Sequence, residues 1–183
     1  MASSEWSHMR HEILPPHQLS RELRLGHLPD LQRRRWTVGL SFGGAVIGMV
    51  VSAYQSGLLK KLPDILPGKI FDAEQVDASD YAYKRLQTPD GFLMVLTYAA
   101  TAALAAAGGQ YRAKRQPILP IAAAAKAWSD LVTCLVLARE EWAENRALCS
   151  WCQLATAISA TTAMLAMPKA YRALAEVRGG GQS

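Results

Sequence analysis

Cysteine is scarce in this chain and histidine is missing where it would matter. The 183 residues hold three cysteines, and all four histidines (His8, His11, His17 and His27) lie before residue 37. No apolar run therefore carries an imidazole, which excludes haem or chlorophyll held by histidine inside a membrane. The histidine spacings match no ligand pattern, and one thiol pair without a second falls short of a structural zinc site, so no metal is expected. There is no Gly-rich phosphate loop: Gly108-Gly109 reads as a turn and Gly179-Gly180-Gly181 as a flexible tail. Serine-hydrolase constellations and internal repeats are also missing. Residues Met1 to Gln32 are polar, so no cleavable signal peptide is visible, and the apolar run from Thr37 serves as its own insertion signal.

Half of the residues are hydrophobic, yet the mean hydropathy is near zero. The average conceals four apolar blocks, Thr37 to Leu59, Gly91 to Gly108, Pro117 to Ala138 and Leu148 to Met167. Each is about 18 to 23 residues long, enough to cross a hydrocarbon core roughly 30 Å thick. Val38 to Val51 lacks the polar stripe that a soluble bundle helix shows every third or fourth residue. These features predict an all-α polytopic membrane protein, a bundle of four transmembrane helices. Residues 1–36 form an N-terminal tail, 37–168 the bundle and 169–183 a flexible C-terminal tail. Leu19 to Leu28 reads as an amphipathic stretch on the membrane face.

Charge orients the bundle. Arg33-Arg34-Arg35 precede the first block, Arg112, Lys114 and Arg115 fill the second connection with no acid, and Lys169, Arg172 and Arg178 follow the fourth block; such clusters stay cytoplasmic. The connection Lys60 to Asp90 sets six acids against five basic residues, and Arg139 to Ala147 is also acid-rich, so both read as outside. Both termini are then cytoplasmic, and the net charge of +5 reflects topology rather than nucleic-acid binding. In a bacterium this is the inner membrane.

Cys149-Ser150-Trp151-Cys152 opens the fourth block on the outer, oxidising side. Two thiols at this spacing cycle between dithiol and disulfide, and a helix N-terminus favours the thiolate. Cys149 is expected to be the exposed, attackable thiol, and Cys152, one turn deeper, to face the bundle and an acceptor. Cys134, at similar depth on the third block, reads as a buried structural thiol or as a stand-in relay. Lys126 and Asp130 lie one turn apart inside the third block, where isolated charge is costly. They read as a packing ion pair or, for Asp130, as a proton donor. Ala78, Tyr81, Ala82 and Arg85 share a helical face, predicting a short helical cap over the bundle.

Several of these segments together resemble the vitamin K epoxide reductase family. Val50-Val51-Ser52-Ala53-Tyr54 is similar to the Ser-x-Tyr near the end of the family's first helix. Val76-Asp77-Ala78-Ser79-Asp80-Tyr81-Ala82 is similar to the outer-loop segment of bacterial members. Pro89 and Tyr98 keep the spacing into the second helix, and Leu148-Cys149-Ser150-Trp151-Cys152 resembles the redox motif. The resemblance implies a membrane thiol:quinone oxidoreductase in which Cys149 and Cys152 carry electrons from a periplasmic thioredoxin-like thiol partner to ubiquinone or menaquinone. It also implies that Ser79 supplies a hydroxyl near the substrate. Tyr54, Tyr98, Trp128 and Trp151 are candidate walls for the quinone head group. Two positions depart from the family. The outer-loop cysteine pair is absent, with Ala73 where one of its members is expected, and Thr156 replaces a tyrosine of the fourth helix. The missing relay leaves an alternative open, a non-catalytic structural subunit of a larger membrane complex.

Overall fold

The computed structural model describes residues 14–179, and His8, His11 and the Gly180-Gly181 stretch lie outside them. Among the described residues seven helices run in order: α1 (Pro16–Leu25), α2 (Pro29–Gln55), α3 (Ala73–Asp77), α4 (Asp90–Ala106), α5 (Arg112–Arg115), α6 (Ile118–Asn145) and α7 (Ser150–Gly179). A 3-10 turn spans Asp80–Tyr83, and among the described residues the only β pairing is an isolated bridge between Phe71 and Leu148. The four long helices pack side by side, α2 on α4 and α7, and α6 on α7 and α4. Of these, α2 and α6 are long and apolar enough to cross a membrane, and α4 is a shorter apolar helix.

Small residues fill the interior and large apolar ones face out. Ser41, Ala102, Ala105, Ala127, Ala155 and Ala163 are buried, while Phe42, Val46, Met49, Val132 and Leu135 are exposed. That distribution inverts the soluble pattern and suits helices that meet through small side chains in a hydrocarbon solvent. Glycines set the closest approach. A Cβ on Gly48 would stand 3.0 Å from the Gly91 carbonyl, and one on Gly91 would stand 2.7 Å from the Ser52 nitrogen. A Cβ on Gly44 would strike the Tyr98 ring at 2.5 Å, so this glycine makes the space in which the ring lies.

Helix bounds differ from the apolar blocks at four places, one of them the end of α6, which runs to Asn145 rather than Ala138. Helix α2 starts at Pro29, and the added turns hold Arg34, buried (7% exposed) and donating to the carbonyls of Ala105, Ala106, Ala107, Gly108 and Gly109 at the end of α4. Its guanidinium satisfies the orphan carbonyls of that helix end. Helix α2 stops at Gln55, before Gly57 at φ 79°. Helix α7 continues through Pro168 to Gly179, so residues 169–179, expected as a flexible tail, are helical, anchored by buried Ala170, Ala173 and Lys169, whose Nζ donates to the Gln110 carbonyl. The cap is not one helix but α3 followed by the 3-10 turn, with Tyr81 and Ala82 buried and Ala78 exposed.

Candidate redox site

Residues 60–83 cross the loop end of the bundle as a strap above the start of α7, and specific bonds fasten it there. The Leu148 N–H donates to the Ile70 carbonyl and the Asp72 N–H to the Leu148 carbonyl. Ser150 Oγ donates to Asp64 Oδ1 at 2.6 Å and accepts from the Ile65 N–H at 3.0 Å. Trp151 Nε1 donates to the Pro63 carbonyl at 3.0 Å. Arg146 adopts a left-handed conformation (φ 54°) that ends α6 and turns the chain into Leu148 and Cys149.

Beneath the strap Cys149 is 0% exposed, packed in one cluster with Leu62, Ala73, Val76 and Tyr81. Cys152 is partly exposed. The expected order of accessibility is thus reversed: the strap, invisible in a linear pattern, covers the first thiol, while the second faces a cleft. The cysteines are free, and the Cys152 N–H donates to Cys149 Sγ at 3.4 Å, which keeps the two sulfurs on the same turn.

A partly open cleft of about 170 Å³ lies between α4, α6 and α7. Leu93, Met94, Tyr98, Leu137 and Ala155 form apolar walls, and Thr97, Thr156 and Ser159 add hydroxyls. Cys134, Cys152, Asp130 and Glu141 also line it. Apolar walls interrupted by hydroxyl, thiol and charged groups, Arg85 and Asp90 among them, fit the flat ring of a quinone with its two polar oxygens.

The structure brings together Cys152, Tyr98, Asp130 and Cys134 of the residues singled out from the sequence, with Cys149 directly behind Cys152. Tyr98 Oη donates to the Ala155 carbonyl at 2.6 Å and pairs with Ser159 Oγ at 3.0 Å. Cys134 Sγ donates to Ser159 Oγ at 3.6 Å. Asp130 accepts from Lys126 Nζ at 2.5 and 2.7 Å and from Thr101 Oγ1 at 2.8 Å, so it is both ion-paired and on the cleft wall. Four others lie elsewhere. Ser79 Oγ donates to the Val76 carbonyl at 2.7 Å within its own turn, and Tyr54 Oη contacts the Glu74 carbonyl at 3.4 Å. Trp151 packs under the strap, and Trp128, 41% exposed on the outer face, points Nε1 at Met167 Sδ. Aromatic residues of a membrane helix take such positions because their N–H or O–H seeks the nearest acceptor.

Two acids flank the thiols that sequence inspection passed over. Glu141, 2% exposed, accepts from the Cys149 N–H and from Gln153 Nε2, both at 3.3 Å, and lines the cleft with Cys152. Its signal was present: Asp130, Cys134, Leu137 and Glu141 recur at helical spacing along one face of α6. Asp77, 1% exposed, meets the Cys149 thiol and Gln55 Nε2, and its Oδ2 has no hydrogen-bond partner. It lies inside the loop segment that carried the family resemblance, but only the folded strap aims it inward. Asp77, Cys149 and Cys152 have their ligating atoms within 4.8 Å of one another, two of them being the redox thiols. Three donors are one fewer than a closed structural zinc site requires.

Burial pushes the Asp77 carboxyl up from 3.8 to about 7, against a smaller opposing effect from the Cys149 hydrogen bond. The folded protein holds this proton more tightly than the unfolded chain. The resulting stability is full below the ordinary carboxylate range and is lost as pH rises through about 7. Asp77→Asn stays neutral, so its stability advantage over wild type grows with pH, by about 3 kcal/mol between roughly pH 5 and 8. Thermal unfolding of both proteins at the two pH values measures it; equal differences at both would remove Asp77 as a buried titrating group.

The family model for the vitamin K epoxide reductase family matches residues 35–167. That span takes in α4 and α6, most of α2 and of α7, the strap, the cleft and both thiols. No curated protein and no solved structure matches the chain.

Proposed function

The chain belongs to the vitamin K epoxide reductase family, membrane-integral redox enzymes that use quinones as substrates, and from that premise we propose that it is a thiol:quinone oxidoreductase. The observation that carries the proposal is Cys152 on the wall of an apolar cleft, with Cys149 one turn behind it. A quinone supplies a two-electron, two-proton acceptor. Cys152 faces it as the reacting thiol, Cys149 closes the disulfide, and the two thiol protons balance the reduction. Glu141, which lines the cleft with Cys152 and accepts from the Cys149 N–H, carries the proton of Cys152. Asp130 is the candidate donor to the far quinone oxygen, and Tyr98 forms a wall.

In this proposal α2, α4, α6 and α7 all cross a bacterial inner membrane, with the strap and thiols outside and both termini in the cytoplasm. The ring of exposed Phe42, Met49, Val132 and Met164 then meets lipid. A thioredoxin-like donor reaching Cys149 requires the strap to open first, since that sulfur is covered. The burial of Cys149 and the absence of loop cysteines favour the second reading, a scaffold subunit of a larger complex.

Thiol alkylation in native membranes separates the two. Added quinone should convert reduced Cys149 and Cys152 to a disulfide that resists alkylation within a turnover time. A pair that keeps one state whatever the quinone leaves the scaffold reading.

A further inference from the structure

The cleft between α4, α6 and α7 meets the second cysteine of the pair and not the first. Cys149 is 0% exposed beneath Leu62, Ala73, Val76 and Tyr81. The strap above it is tied to α7 through Asp64 and Ser150, through the Phe71–Leu148 bridge, and by Gln75 Nε2 donating to the Asn145 carbonyl at 2.9 Å. Residues 60–90 contain no cysteine that could pass electrons inward from beneath that cover. Cys152, in contrast, lines the cleft of about 170 Å³, which opens to its surroundings. A cleft of this size admits a ring or the thiol end of a small molecule but not a folded domain.

We infer that the electron donor is a low-molecular-mass thiol that enters this cleft and attacks Cys152, not Cys149. The inference rests on the proposal above that the pair is a redox centre oxidised by a quinone. A donor thiolate attacks Cys152 Sγ of the disulfide. The Cys149–Cys152 bond breaks, Cys149 leaves as the thiolate and takes up a proton beside Asp77, and a donor–Cys152 mixed disulfide forms. A second donor thiol attacks the donor sulfur of that mixed disulfide and frees Cys152, which takes a proton beside Glu141. Two donor thiols are oxidised to one disulfide, and the protein pair gains two electrons and two protons. Donor and quinone use one doorway, so they take turns, and the steady-state kinetics are ping-pong with each substrate competing against the other at high concentration.

The test uses full-length single-cysteine proteins in membranes without quinone. One is Cys134→Ser/Cys149→Ser, which retains Cys152; the other is Cys134→Ser/Cys152→Ser, which retains Cys149. Each is treated with glutathione disulfide, mixed-disulfide formation is followed by mass, and each rate is divided by that of the same protein unfolded in detergent. Cys152 is expected to react at least about 10-fold faster than Cys149 on that scale, because access governs the exchange. Equal rates, or a faster Cys149, overturn the inference. Wild-type protein guards against misfolded variants: a small iodoacetamide should label Cys152 ahead of Cys149, and a polymer-linked maleimide too large for the cleft should label neither. Labelling of Cys149 by the large reagent overturns the inference as well. Because no quinone is present, selective reaction at Cys152 together with a pair that ignores quinone would sink only the quinone proposal. Quinone-driven oxidation with reaction at Cys149 would sink only this one.

Discussion

Cys152→Ala lowers quinone reduction by about 10³-fold or more, as expected when the reacting nucleophile is removed and nothing nearby replaces it. The fold should survive the change. The contact from the Cys152 backbone N–H to Cys149 Sγ does not involve the lost side chain, and the cleft already provides free space next to the missing sulfur. Cys134 lines the same cleft but is bound to Ser159 on another helix, so it is not positioned to close a bond with Cys149 in place of Cys152. Hydroquinone formation with a chemical dithiol as donor measures the rate, and thermal unfolding checks that the variant is folded. A variant that keeps a tenth or more of the wild-type rate would place the chemistry elsewhere.

The second large effect concerns Lys126 and Asp130. Lys126→Ala leaves a buried carboxylate with Thr101 as its remaining donor, and breaking a buried ion pair from one side costs about 3 to 5 kcal/mol. Lys126 also reaches the Thr97 carbonyl at 3.3 Å, so the same substitution loosens α6 from α4. The double variant Lys126→Leu/Asp130→Leu removes both charges and should recover most of the loss, because apolar side chains of similar volume replace such pairs without penalty. Unfolding of all three proteins by detergent titration reads the cycle. Activity adds a separate readout: if Asp130 serves only packing, the double variant keeps its rate, and if it delivers a proton to the cleft, the rate falls while stability returns. A single Lys126→Ala loss below about 1 kcal/mol would mean that the pair is already open to water.

The helical architecture was legible because its signal is local. Long apolar blocks and the arginine clusters between them carry their meaning in composition alone, and each of the four long helices overlaps one of those blocks. The ends were less legible. Arg33-Arg34-Arg35 reads as a charge label, yet Arg34 is a cap for α4, a role that depends on a helix end more than 70 positions away. The site divides the same way. Cys149 and Cys152 announce themselves by spacing, and Tyr98, Cys134 and Asp130 by position on helical blocks. Ser79, Tyr54, Trp128 and Trp151 carry suitable groups but turn them to acceptors outside the cleft, a choice made by rotamers and neighbours. Asp77 and Glu141 carry no motif, and their importance comes from being buried against the thiols.

By itself the sequence determined that the chain is helical, apolar in long blocks and built around one thiol pair, because hydrophobic period, charge placement and Cys-x-x-Cys spacing are properties of neighbours along the chain. Only the tertiary structure decided which thiol meets the cleft and which acids touch them. Those relations depend on the strap folding back across α7, where contacts such as Asp64 to Ser150 and Ile70 to Leu148 join residues far apart in sequence, and no local pattern records which distant segment will cover a given sulfur.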